Sequence, residues 1–180
     1  MQRALGHGYE IIAEGLRARM LKDENPFIGD RDGYKQFGPI LASHLPLDLI
    51  ILLLGTNDSC SRTGKTPQEI AGNLRDYFTL LNAWCEQQHM PVPPMLIVAP
   101  SIVREQYLQG EVYIGAENTT RQLPPLYEAF AKDNNTLYFN AANVVESSTG
   151  DGVHLDAKNN KILGRELADF VELHKNLLFT

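Results

Sequence analysis

Apolar and polar positions along the chain fall into two periods, a two-residue or unbroken apolar pattern in short runs and a helical pattern between them. Asp48 to Leu54 and Met95 to Pro100 are apolar runs of the length of a strand buried on both faces, and Thr136 to Asn140 reads as a third strand. Tyr9 to Glu14, ended by Gly15, reads as a further short strand, followed by a loop from Leu16 to Met20. Between these runs the helical spacing returns. Thr66-Pro67-Gln68-Glu69 combines an N-cap threonine, a proline at the first helical position and a glutamate at the capping-box position. The helix it opens is predicted to reach about His89, with Ile70, Leu74, Tyr77, Phe78, Leu81 and Trp84 as its apolar stripe. A second long helix is predicted over Asn159 to Leu178, with Ile162, Leu163, Leu167, Phe170, Val171 and Leu177 on one face. Thr119 to Lys132 reads as a helix whose first turns Pro124 and Pro125 should break or reset, and Tyr34 to His44 as a helix kept short or kinked by Pro39. Met1 to Leu5 looks like a last helical turn closed by Gly6. Leu21 to Gly33 is loop by composition, and Ser101 to Gly115 is an irregular stretch expected at a pocket rim. Strands alternating with helices, without internal repeats, predict an α/β protein: a parallel sheet covered on both faces, a three-layer α/β/α sandwich.

Composition narrows the class without changing this picture. A chain of 180 residues suits a single domain, residues 1–180, that needs no disulfide or metal staple. Its net charge of -6, with no basic stripe, argues against nucleic acid as a partner. The longest apolar run is far short of a membrane span and the first residues carry no apolar signal region, so no membrane is expected and the location expected is cytoplasmic. Cys60 and Cys85 stand in no ligand spacing, and no pair of histidines and cysteines has the spacing of a zinc site. Neither a metal nor a cofactor is implied. Asp23, Asp30 and Asp32 form an acidic loop whose spacing is not that of a calcium loop.

Chemistry is concentrated in two polar clusters. Gly55-Thr56-Asn57-Asp58 follows the Asp48 to Leu54 strand, so Asn57 should emerge at the carboxyl edge of the sheet, where open α/β proteins bind ligands. Asp151-Gly152-Val153-His154 puts a carboxylate three residues before an imidazole, a spacing that lets an Asp orient a His as general base. Each also has a plain reading: Asn57 as a cap or turn residue, Asp151-Gly152 as a turn, His154 as a residue opening a helix. Cys60 lies close enough after Asn57 to compete as a nucleophile, with a spectator thiol as its plain reading. His44 is expected to be a helix-terminal histidine satisfied by backbone carbonyls and is given no catalytic role.

Glu14 to Arg19, Ser43 to Leu49, Gly55-Thr56-Asn57-Asp58 and Asp151-Gly152-Val153-His154, in this order, resemble sequence blocks II, III and V of the SGNH hydrolases, also called GDSL esterases and lipases, and most closely the arylesterase and acyltransferase branch. The resemblance runs over essentially the whole chain and implies a flavodoxin-like sheet. It implies Asn57 as oxyanion side-chain donor, Ala18 with Gly15 as the backbone contribution, Asp151 as the orienting acid and His154 as the general base. The family's nucleophilic serine sits in a Gly-Asp-Ser segment after a first, central strand, and no such segment occurs here; Gly29-Asp30-Arg31 lacks the third letter. Ser59 and Ser61 follow Asn57 too closely, Ser101 follows another strand, and Ser147 and Ser148 lack a nucleophile-elbow context, so the nucleophile is unassigned. Three resolutions of the missing strand are expected: the flanking strands close up, another chain donates a strand, or, the preferred one, the sequence is a truncation of a longer protein. Truncation would be accompanied by a marginally stable monomer. The implied function is a serine ester hydrolase acting on small acyl or aryl esters through an acyl-enzyme. Tyr107, Tyr113 and Ile114 would contribute an apolar pocket, and a homo-oligomer is the expected assembly. The rival is a non-catalytic ligand-binding or regulatory protein on the same fold.

Overall fold

The computed structural model describes residues 1–178, without the side chain of Leu177, so that member of the last helix's stripe lies outside the described residues. Its elements are α1 (Gln2–Leu5), α2 (Gly33–His44), β1 (Ile50–Leu53), α3 (Pro67–Gly72), α4 (Leu74–Gln87), β2 (Met95–Ala99), α5 (Ala116–Asp133), β3 (Leu137–Asn140) and α6 (Ala157–Leu178). The three strands form a parallel sheet in the order β1-β2-β3, with Leu52 opposite Ile97 and Val98 opposite Phe139. All five residues of β2 are buried, as its unbroken apolar run requires of a central strand. Side chains alternate between the two faces of a strand. Met95, Ile97, Ala99 and Leu52 pack into a core with Leu41 of α2, Ile70 of α3, Tyr77 and Leu81 of α4, and Leu123 and Tyr127 of α5. Leu96 and Val98 face the opposite core, built with Leu163 and Leu167 of α6 and closed by Met1 beside α1. Helices therefore cover both faces of the sheet, the three-layer arrangement the alternating pattern predicts. No described helix is long and apolar enough to cross a membrane.

The structure corrects four expectations. Tyr9 to Glu14 is not a strand: among the described residues it joins no β-ladder, Ile12 is exposed, and its backbone is met by a side chain, with Ile11 N–H donating to Gln2 Oε1 at 2.8 Å and Gln2 Nε2 donating to Tyr9 O at 2.8 Å. An alternating pattern becomes a strand only where a neighbouring strand accepts it, and among the described residues nothing pairs with the outer edge of β1. The segment and β1 thus do not close up on each other, and Leu53 stays 40% exposed. The helix opened by Thr66 keeps its full capping box but is divided at Asn73 and ends at Gln87, ahead of His89 in the left-handed region. Pro124 and Pro125 do not break α5, which runs through them: Leu123 and Tyr127 are fully buried on the sheet, Pro124 is buried, and Tyr138 OH donates to Pro124 O at 2.9 Å. Core packing outweighs the lost backbone hydrogen bonds there, a cost of about 3 kcal/mol for a proline inside a helix. His44, finally, is paired with a carboxylate rather than with carbonyls, its Nε2 lying 2.7 Å from Glu14 Oε1.

Candidate active site

Asp151 and His154 occupy one tight loop between β3 and α6. Asp151 Oδ1 accepts the backbone N–H groups of Val153 and His154, both at 2.9 Å, and Oδ2 lies 2.7 Å from His154 Nδ1. A carboxylate only accepts, so Nδ1 carries the proton of that bond and the lone pair of a neutral imidazole is left on Nε2. Among the described residues no hydrogen bond reaches Nε2, and the His154 side chain is 75% exposed. The loop is fixed from both sides. Gly152, at φ 72°, donates its N–H to Ser148 O at 2.8 Å and accepts Arg104 N–H at 2.7 Å, while Ser148 N–H donates to His154 O at 2.7 Å.

Burial pushes the Asp151 carboxyl up, but the N–H groups of Val153 and His154 and the imidazole together outweigh it, and the group titrates below the ordinary carboxylate range. A depressed carboxylate contributes stability that is present above its unfolded value and lost as pH falls through the folded one. The loop is therefore expected to hold its Asp151–His154 pairing through the ordinary carboxylate range and to lose it only in more acid solution. The His154 ring resonances followed by NMR between pH 6 and pH 2 check this; a loop that rearranges near pH 6 would contradict it.

Asn57 opens a 3-10 turn, Asn57–Ser59, directly beyond β1. Its carboxamide is held at both ends: Nδ2 donates to Arg19 O at 2.9 Å, and Oδ1 accepts Tyr113 OH at 2.8 Å. The segment bearing Arg19 is drawn to this position by the neighbouring Asp58. That side chain is completely buried and accepts Leu21 N–H at 2.7 Å, with Lys65 Nζ at 3.3 Å. Ala18 takes a left-handed φ of 63°, unusual for a residue with a Cβ, and its carbonyl accepts Asn25 Nδ2 at 3.2 Å. Ala18 directly precedes Arg19, whose carbonyl Asn57 holds. Gly15 is exposed, and nothing lies within 4 Å of where its Cβ would be.

The serines are engaged elsewhere. Ser59 donates to Thr56 O at 2.6 Å, Ser61 to Val112 O at 3.0 Å, and Ser147 to Ile102 O at 2.7 Å with Ser101 at 3.1 Å from its hydroxyl; Ser148 accepts Gly150 N–H at 2.9 Å. Cys60 is buried. Of the acidic loop, Asp32 caps α2 by accepting Lys35 N–H at 3.2 Å, and Asp23 lies 3.0 Å from Lys65. Two residues gain a place that sequence reasoning missed. Tyr113 reads only as pocket lining and Asp58 only as part of the Gly-Thr-Asn-Asp cluster, because their partners lie far away in sequence.

The arrangement offers an oriented imidazole base on one loop and an oriented amide donor on another, at the carboxyl edge of the sheet. Residues 4–167 match the profile of the family described as GDSL-like lipase/acylhydrolase. The chain belongs to this family. Among solved structures, this GDSL-like hydrolase is similar to Est24, a carbohydrate acetylesterase from Sinorhizobium meliloti. The identity is 33% and the TM-score 0.89, covering 96% of this chain and 82% of that one. It is similar to an aryl esterase from M. smegmatis at 31% identity and a TM-score of 0.89, with the same two coverages. A carbohydrate acetylesterase family member from Sinorhizobium meliloti follows at 28% identity and a TM-score of 0.86, covering 96% and 83%. No curated protein matches the sequence. By family resemblance the GDSL-like hydrolase is a carboxylic ester hydrolase.

Proposed function

We propose that the protein hydrolyses small acyl or aryl esters, with His154 as general base, Asp151 as the group that orients it, and Asn57 with the Ala18 backbone as the oxyanion site. The observation that carries this reading is the 2.7 Å contact between His154 Nδ1 and Asp151 Oδ2, which leaves Nε2 open to take a proton. An oxygen nucleophile attacks the ester carbonyl as its proton passes to Nε2. The charge that develops on the carbonyl oxygen is met by N–H donors, and the imidazolium returns its proton to the leaving alcohol. The aryl esterase and carbohydrate acetylesterase names of the similar structures support short acyl groups on aryl or sugar alcohols as substrates. The reading includes a single domain and a cytoplasmic location, supported by two cysteines that are both free. It also includes a homo-oligomer, supported by the outer edge of β1, which pairs with no other strand among the described residues.

The attacking oxygen is the open part of this scheme. Among the described residues no serine hydroxyl hydrogen-bonds the His154 ring, which favours, as second reading, a protein that holds an ester in the cleft without cleaving it. One experiment separates the two: p-nitrophenyl acetate turnover and intact mass after a fluorophosphonate probe, each for the wild type and His154→Ala. The expected result is turnover that falls at least a hundredfold in His154→Ala, with any adduct lost in parallel. Turnover that survives the substitution, or a folded chain with neither turnover nor adduct, overturns the hydrolase reading.

A further inference from the structure

Asn57 can serve as a donor to an oxyanion only if its carboxamide is kept in one of two orientations, since a half-turn of the side chain exchanges oxygen for nitrogen. Two partners decide which. Arg19 O is an acceptor only, so the group 2.9 Å from it is Nδ2. Tyr113 OH then donates to Oδ1 at 2.8 Å, and the second N–H of Nδ2 is left over for a ligand. We propose that Tyr113 is the positioning residue for Asn57, and that it ties the amide donor to the loop carrying Asp151 and His154. The inference rests on the reading of Asn57 as the oxyanion donor.

Three further features make Tyr113 suited to this. Its turn, Glu111–Tyr113, is tied to the segment that follows Asn57, because Ser61 Oγ donates to Val112 O at 3.0 Å and to Glu111 O at 3.3 Å. Its ring packs on a small cluster of Val103, Ala116 and Val153, and Val153 is the residue between Gly152 and His154. One side chain therefore joins the two halves of the site, its ring packed on the cluster that includes Val153 and its hydroxyl on the donor. Burial, with Cys60, Asp151 and Asp58 adding to it, pushes the phenol up to about 12, which keeps it a donor at neutral pH. Tyr138 makes a fair control. Burial raises its phenol to about 12 as well, but it donates to Pro124 O, between α5 and β3.

The test compares 15N-labelled wild type, Tyr113→Phe and Tyr138→Phe, with the Asn57 side-chain amide pair assigned by its loss in Asn57→Asp. Tyr113→Phe keeps the ring and its packing, and circular dichroism verifies the fold. The expected result is at least fivefold faster solvent exchange of the Asn57 amide in Tyr113→Phe and no change in Tyr138→Phe. An Asn57 amide that behaves in Tyr113→Phe as it does in the wild type overturns the proposal, whatever the protein catalyses. Where the wild type turns over p-nitrophenyl acetate, Tyr113→Phe should lower kcat about tenfold with KM within twofold, and should add nothing to Asn57→Ala. Equal losses in the two backgrounds also overturn it. Absence of wild-type turnover counts against the hydrolase reading alone, and the amide measurement then decides the role of Tyr113.

Discussion

Replacing Asp58 with alanine is expected to destabilise the protein by about 3 to 5 kcal/mol, the range for removing one partner of a buried ion pair. A domain of ordinary stability, about 5 to 15 kcal/mol, would be left marginal by it. The reason is where Asp58 sits and what depends on it. Its carboxylate is completely buried and meets Leu21 N–H at 2.7 Å and Lys65 Nζ at 3.3 Å. Burial pushes the group up, against the pull of those donors. Alanine would leave Leu21 N–H buried without an acceptor, a penalty of about 1 to 3 kcal/mol in itself. Lys65 would keep Lys22 O at 2.6 Å and Asp23 at 3.0 Å, which caps the loss. Asp58→Asn, which retains an acceptor oxygen, should cost less than half as much. Urea unfolding followed by circular dichroism reads the effect as a lower midpoint at unchanged slope. A loss under about 1 kcal/mol would mean that residues 18–22 are held by something other than Asp58.

Gly152→Ala should damage stability and site together. A side chain there would have to adopt φ near 72°, and its Cβ would run into the carbonyl oxygen of Arg104, backbone that cannot swing aside. The left-handed strain and the loss of the Arg104 N–H to Gly152 O bond add up to about 2 to 4 kcal/mol. For a chain of this size that corresponds to a fall in Tm of about 5 to 15 °C. Because Gly152 separates Asp151 from Val153 and His154, the strain is released into the loop that sets the imidazole, and any ester turnover should drop by about a hundredfold or more. A melting temperature within 2 °C of wild type together with unshifted His154 ring resonances would show that the loop does not depend on this glycine.

Elements with local signals were legible. The unbroken apolar run of β2 and the capping box of Thr66 and Glu69 each name their structure without reference to the rest of the chain. Asp151 and His154 were legible for the same reason, since three residues of spacing within one turn suffice to bring carboxylate and ring together. Tyr9 to Glu14 failed because strand formation is a property of two segments, and its alternation cannot say whether the second is there. Pro124 and Pro125 misled because packing of Leu123 and Tyr127 on the sheet outweighed a local rule. The tie of Tyr113 to Asn57 spans 56 positions and leaves no periodic trace, so only the folded chain reveals it.

The four-part junction of Arg19, Asn57, Tyr113 and Val153 also governs when the site can come into being. Each residue arrives from a different stretch: an early loop, the exit of β1, the turn before α5 and the loop after β3. None of their contacts closes within a helix or a hairpin, so every one waits for long-range loop closure and for the β1-β2-β3 order to be set. The site is accordingly a late product of folding and an early casualty of loosening. A population with its helices formed but its layers slack would retain helix content and already lack the junction, making function a more sensitive gauge of tertiary order than helix content.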